Sequence, residues 1–297
     1  MAKISAALVK ELRERTGSGM MECKKALVET DGNIETAIEV MRKKGLAKAD
    51  KRSGKIAAEG LAYTKFNDDR SEGIIIEVNC ETDFVAKGDD FQVFVDQIAG
   101  IALAGKLSSV EELLAKPYGD AGSESVDVVR QQLIAKIGEN INVRRMSLHS
   151  STAGSLCSYR HGEKIAVLVD IEGADEALGK DVAMHIAASR PTCVTADQVP
   201  ADLLNKEREI FSAQAKDSGK PDNIVEKMVE GRIRKYLAEI TLEGQAFIKD
   251  PDQTVAKMLK AKGAVVKAFT RLEVGEGIEK KVENFAEEVM AQAKGSS

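Results

Sequence analysis

A chain of 297 residues with 43% hydrophobic and 31% charged residues can bury a core large enough for two or more modules, which excludes an intrinsically disordered polymer. Its net charge of -5 excludes a broadly basic nucleic-acid coat, and no apolar run reaches the roughly 20 residues of a membrane span. The opening Met1-Ala2-Lys3-Ile4-Ser5 lacks the apolar segment of a secretory signal, so the expected location is the cytoplasm.

Chain order begins with helices. Ser5 caps a segment over 4–15 in which Leu8, Val9 and Leu12 recur at helical spacing, and Gly17-Ser18-Gly19 stops it. A second short helix from Met21 to Glu29 presents Cys23, Ala26 and Leu27 on one side. Asn33 caps a third, which the spacing ends near Gly45. Met20-Met21 after the glycines reads either as adaptable contact surface or as core filling. Residues 46–60 read as a charged linker, and residues 1–60 carry four more basic than acidic residues against -9 for the rest. That basic stretch, 42–55, is a solvated tether or, less simply, an RNA contact.

Strand grammar follows. Leu61–Phe66 alternates, Asn67-Asp68-Asp69-Arg70 turns, and Gly73–Asn79 returns as a buried strand, with a helix from about Asp90. The same sequence of elements recurs over 154–173, with a turn at His161-Gly162 and a helix over 174–189, so an α+β core of two related halves is expected. Val126–Lys136 is amphipathic. Leu204, Phe211 and Ala215 on one helix and Val225, Val229, Tyr236 and Ile240 on the next form stripes suited to an antiparallel helical hairpin. A helix and a final strand close the core, and 284–293 reads as a terminal helix.

No phosphate loop, dinucleotide fingerprint, nucleophile elbow or zincin helix is present. Cys23, Cys80, Cys157 and Cys193 form no metal-binding pair, and Glu81, Asp83, Asp89 and Asp90 match no calcium-loop spacing. His161 is an exposed turn residue on this reading, and His185 a residue at the edge of the core. The segment N-C-E-T-D-F-V-A-K, 79–87, is the anomaly: a buried strand ends on two polar residues and an aromatic, in a chain with no Trp and eight Phe.

The stretches LVKELRERTGSGMMECKKAL, EVNCETDFVAK, KIGENINVRR and GRIRKYLAEITLEGQAFIKDP, with the closing RLEVGEGIEKK, closely resemble the bacterial elongation factor Ts family, in order and over essentially the whole chain. The resemblance implies a non-enzymatic guanine nucleotide exchange factor, without cofactor or metal, for elongation factor Tu. It implies a ubiquitin-associated-like three-helix domain (1–45), a linker (46–60), a core N-subdomain (61–140) and a core C-subdomain (141–193 and 243–277). It also implies a dimerising hairpin insert (194–242), through which a homodimer or a 2:2 complex forms, and a C-terminal module (278–297). Thr82, Asp83, Phe84 and Val85 match the family's wedge, which dislocates Mg²⁺ from the partner. Arg13, Met20, Met21, Lys24, Ile137, Gly138, His161, Ile248 and Lys249 match partner-binding positions. Ala246, where proline is common, and Lys249, where an apolar residue can sit, depart from the family's pattern. Neither a membrane nor direct nucleic-acid binding is implied. A scaffold using the hairpin and basic linker, or a thiol enzyme at Cys80, are the other readings the residues leave open.

Overall fold

Three helices build the N-terminal bundle, the first and third from legible start signals. In the computed structural model, which describes residues 4–119, 124–151, 154–216 and 221–279, helix α1 (Ala6–Thr16) begins at Ser5, whose hydroxyl accepts the Leu8 N–H at 3.2 Å. It ends at Gly17, at φ +66°, where a side chain would be strained. Helix α2 (Met20–Glu29) follows, and Asn33 caps α3 (Ile34–Arg52) by accepting the Thr36 N–H at 3.0 Å. Val9, Leu12, Cys23, Ala26, Leu27 and Ala37 fill the small core between them.

The first sheet has the order β1 (Glu59–Phe66), β2 (Glu72–Cys80) and β3 (Ile141–Ser150), all antiparallel. Between β2 and β3 run four helices: the single turn α4 (Asp83–Ala86), α5 (Asp89–Ala104), α6 (Val110–Ala115) and α7 (Val126–Ile137). The central strand β2 is buried on both faces. Its Ile74, Ile76, Val78 and Cys80 meet Phe91, Phe94, Val95 and Ile98 of α5, while the alternate residues Ile75, Glu77 and Asn79 point the other way.

That other way lies the second sheet, β4 (Ser155–His161), β5 (Ile165–Glu172) and β8 (Val265–Glu273), again antiparallel with the helices placed between its second and third strands. Those intervening elements are α8 (Glu176–Ser189), α9 (Ala201–Lys216), α10 (Asp222–Ile240), the short ribbon β6 (Ala246–Phe247) and β7 (Asp250–Thr254), and α11 (Val255–Lys262). Both sheets carry one register irregularity in the pairing of their second and third strands, at Glu77/Val78 and at Asp170/Ile171. The duplicated α+β architecture expected from the repeated grammar is thus present. Ala62, Ile75, Leu156, Ala166, Leu168 and Leu272 form the layer between the sheets, and Val167, Val169 and Ile171 face α8 and α11 on the far side. Each such aliphatic side chain contributes about 1.5–3 kcal/mol by leaving water. Helices α9 and α10 pair as the predicted hairpin, with the Phe211 and Tyr236 rings edge to face at 6.4 Å.

Three expectations need correction. Helix α3 does not end near Gly45 but continues to Arg52, so residues 46–52 are helix and only 53–58 connect it to β1. Gly45 is a packing residue: a Cβ there would lie 3.2 Å from the Ala135 Cβ of α7, so its small size brings α3 close against the core. Buried Ala49, one turn on, enters the main core cluster. His185 is fully buried and not at the core's edge. The expected helix over 284–293 lies outside the described residues. No helix among the described residues is long and apolar enough to cross a membrane.

Candidate functional site

The anomaly at 79–87 resolves into a single helical turn with one face anchored and the other bare. Cys80, the last residue of β2, is buried, and its thiol donates to the Thr82 carbonyl at 3.1 Å. Thr82 caps α4, its hydroxyl oxygen accepting the Val85 N–H at 3.3 Å. Val85 and Ala86 sink into the first sheet's core, and Gly88 closes the turn with an N–H to the Val85 carbonyl at 2.9 Å. With the two residues after it pinned inward, Phe84 is carried outward: its side chain is 85% exposed, more than any other large hydrophobic residue described. An aromatic in water forgoes about 2–3 kcal/mol of burial, which is recoverable only against another surface. Beside it the Lys87 ammonium, 2.9 Å from the Asp83 carboxylate, holds that carboxyl below the usual range.

Chemistry at Cys80 is excluded by the same geometry. Burial, reinforced by the Glu139 carboxylate, pushes its thiol up to about 12, so it stays protonated near neutral pH and cannot serve as a nucleophile.

Around Phe84 the structure gathers several of the residues singled out in the sequence. Helix α7 ends at Ile137, half-buried against the core, and Gly138, exposed at φ +87°, turns the chain toward β3. The next residue, Glu139, accepts from both the backbone N–H (3.0 Å) and the hydroxyl (2.8 Å) of Thr82. Gly17, in the loop joining α1 and α2, sits over Lys136, whose ammonium pairs with Asp90 of α5 at 2.8 Å. The bundle's loop, the end of α7 and the turn at Phe84 therefore lie along one edge of the molecule. Elsewhere on the bundle Arg13 and Lys24 are exposed, and Met20 and Met21 are 48% and 63% exposed, so the methionine pair is surface and not core. The β4–β5 turn joins from the second sheet: the Ala62 N–H donates to the Glu163 carbonyl at 2.9 Å, Lys164 pairs with Glu59, and both flank the depression that Thr82 and Asp83 also line. His161 at the start of this turn is exposed, its Nδ1 3.1 Å from the Tyr159 hydroxyl.

Ile248 and Lys249 are not brought to this edge. They form the turn between β6 and β7 on the helical layer of the second sheet, where the Ile248 N–H donates to His185 Nδ1 at 3.2 Å and Lys249 pairs with Asp181 of α8 at 2.5 Å. Ile248 is nonetheless exposed.

Sequence reasoning missed the residues that brace the turn. Glu81 accepts the Asn140 N–H at 2.7 Å and also receives the Arg52 guanidinium at 3.3 Å, and the Asn140 side chain donates to the Lys55 carbonyl at 2.8 Å. These partners are 29 to 85 residues apart in the chain, so no local pattern announces them.

Compared with known proteins, residues 81–276 match the family model described as Elongation factor TS. The chain is 63% identical over 293 residues to elongation factor Ts of Methylococcus capsulatus, covering 99% of each. It is 60% identical over 294 residues to that of Thioalkalivibrio sulfidiphilus, again covering 99% of each. With that of Legionella pneumophila the identity is 50% over 295 residues, covering 99% of this chain and 100% of the relative.

Proposed function

The chain belongs to the elongation factor Ts family, and on that premise we propose that it promotes GDP release from elongation factor Tu during translation elongation by pressing Phe84 into the GTPase domain. The observation that carries this reading is the ring itself, 85% exposed on a turn whose opposite side is buried. The partner GTPase grips its nucleotide through Mg²⁺ and a phosphate-binding loop. A ring that inserts better when those elements are displaced weakens nucleotide binding by the same factor, because the two equilibria are linked. The exchange factor makes and breaks no covalent bond; it alters a barrier on its partner.

Thr82, Asp83 and Val85 shape the wedge with Phe84. Met20, Met21, Arg13 and Lys24 supply an adaptable, partly basic contact on the bundle, and Ile137, Gly138 and His161 supply further contacts on the core. Ile248 and Lys249 serve a second contact on the opposite helical layer. We assign these surfaces to a ubiquitin-associated-like bundle (1–45), a two-part core (61–140, then 141–193 with 243–277), a hairpin insert (194–242) and a C-terminal module (278–297), acting in the cytoplasm. The α9–α10 hairpin, with Ile210 and Ile224 exposed, is the surface through which a homodimer or a 2:2 complex would form.

The test is stopped-flow release of fluorescent GDP from elongation factor Tu. Phe84→Ala is expected to slow the maximal release rate about tenfold or more, the scale of a buried aromatic anchor. Because the ring contacts little of its own chain, the variant should melt with the wild type. Unchanged release would reject the wedge.

A further inference from the structure

We propose that Glu139 is the positioning residue of this exchange reaction, a carboxylate that acts through Thr82 to fix the direction in which Phe84 is presented. The inference rests on the wedge reading above. It comes from how the β2–β3 ladder ends. Cys80 and Ile141 are the last paired residues, and beyond them the chains must part because Thr82 enters α4 while Glu139 leaves α7.

Side chains replace the backbone ladder in that gap. Continuing the register places Glu81 opposite Asn140 and Thr82 opposite Glu139. In each pair a glutamate carboxylate takes the other residue's backbone N–H, Glu81 from Asn140 at 2.7 Å and Glu139 from Thr82 at 3.0 Å. Glu139 also takes the side chain of its opposite residue, accepting the Thr82 hydroxyl proton at 2.8 Å. With its proton committed there, the hydroxyl oxygen presents a lone pair to the Val85 N–H, which is the cap that starts α4.

The consequence follows from the length of α4. Four residues are too few for a helical turn to persist unaided. Val85 and Ala86 hold its inner side and point Phe84 outward, but they leave the N-terminal end of the turn to be held by other contacts. Glu139 fixes its front through one residue, and Gly138 in the left-handed region gives Glu139 the direction to do so. A ring pre-set for insertion spends less of its contact energy on ordering.

The experiment compares wild type, Glu139→Ala, Glu139→Gln, Phe84→Ala and the double variant Glu139→Ala/Phe84→Ala as full chains, measuring fluorescent GDP release from elongation factor Tu at increasing factor concentration. Loss of positioning lowers the maximal rate, about tenfold in Glu139→Ala, while the half-saturating concentration moves by less than about twofold. Glutamine, which keeps an amide oxygen for the Thr82 N–H, should restore the rate to within about threefold of wild type. The double variant should be no slower than Phe84→Ala alone, because a ring that is gone cannot be misdirected. Glu139→Ala at the wild-type rate beside a slow Phe84→Ala overturns the proposal and leaves the wedge intact. Multiplying defects in the double variant also overturn it. A wild-type rate for Phe84→Ala rejects the wedge itself.

Discussion

Replacing Glu77 by Ala should lower the stability of the two-sheet core by about 3 kcal/mol, near the low end for breaking a buried ion pair. The Glu77 side chain, on the inter-sheet face of β2, is wholly buried. Its carboxylate receives Arg144 at 3.1 Å and Arg145 at 2.5 Å from β3, Asn79 at 3.0 Å, and the Gly275 N–H at 2.8 Å from the turn after β8. One carboxylate thus ties the first sheet to the exit of the second. The low-end value applies because the orphaned guanidiniums are not sealed in: their side chains are 24% and 35% exposed and regain water. With a urea dependence of about 3 kcal/mol per M, the midpoint should drop by about 1 M. Glu77→Gln keeps the volume and an acceptor for Gly275 and should lose roughly half as much. Burial pushes this carboxyl up, but the Gly275 amide, Arg145 and Asn79 more than offset it, so its pKa lies below the ordinary value. The stabilisation is therefore full above the unfolded carboxyl's pKa of about 4.3 and is lost as pH falls through the lower folded value. The gap between wild type and Glu77→Gln should narrow as pH falls below about 4.3. An Ala variant within about 0.2 M of wild type at pH 7, or a gap indifferent to pH, would refute the reasoning.

His185 offers a second pH test with the opposite chemistry. Its Nδ1 accepts the Ile248 N–H, so the neutral ring donates from Nε2 to Gln245 at 2.9 Å, and burial holds its pKa below the usual imidazole value. Stability tied to it is complete above about pH 6.5 and falls as pH drops toward the folded pKa; a ring that titrates near 6.5 by NMR in the native protein would contradict this. Gly179→Ala should cost about 1–3 kcal/mol, because the new Cβ would stand 2.2 Å from the Cys157 Sγ where α8 lies on β4. An unaltered thermal midpoint would show that this contact yields without strain.

Much of the fold was legible because its strands and helices obey their periods. The alternation of Ile74, Ile75 and Ile76 between two cores could be read only as burial, since a strand covered on both faces loses its polar phase. Strand β3 was harder: Arg144 and Arg145 sit in it side by side and look like surface residues until Glu77 is seen to hold both. Gly45 misled because the residue that stops helices also lets them touch, and only the nearness of Ala135 separates the two roles. At the candidate site, the scarcity of aromatics singles out Phe84 from the sequence alone. What it could not supply was Glu139, 57 residues from the threonine it clasps, since that pairing exists only once β2 and β3 are side by side.

The continuity of α3 changes what a single added residue would do. In a loose tether an extra residue costs a fraction of a kcal/mol and disturbs little. Within these 19 helical residues it would turn everything beyond it by about 100° and advance it by about 1.5 Å. Along α3 the spacing between the methionine pair's bundle and the core is therefore ruled in helical steps, and only the connectors at its ends can take up an added residue without breaking that ruler.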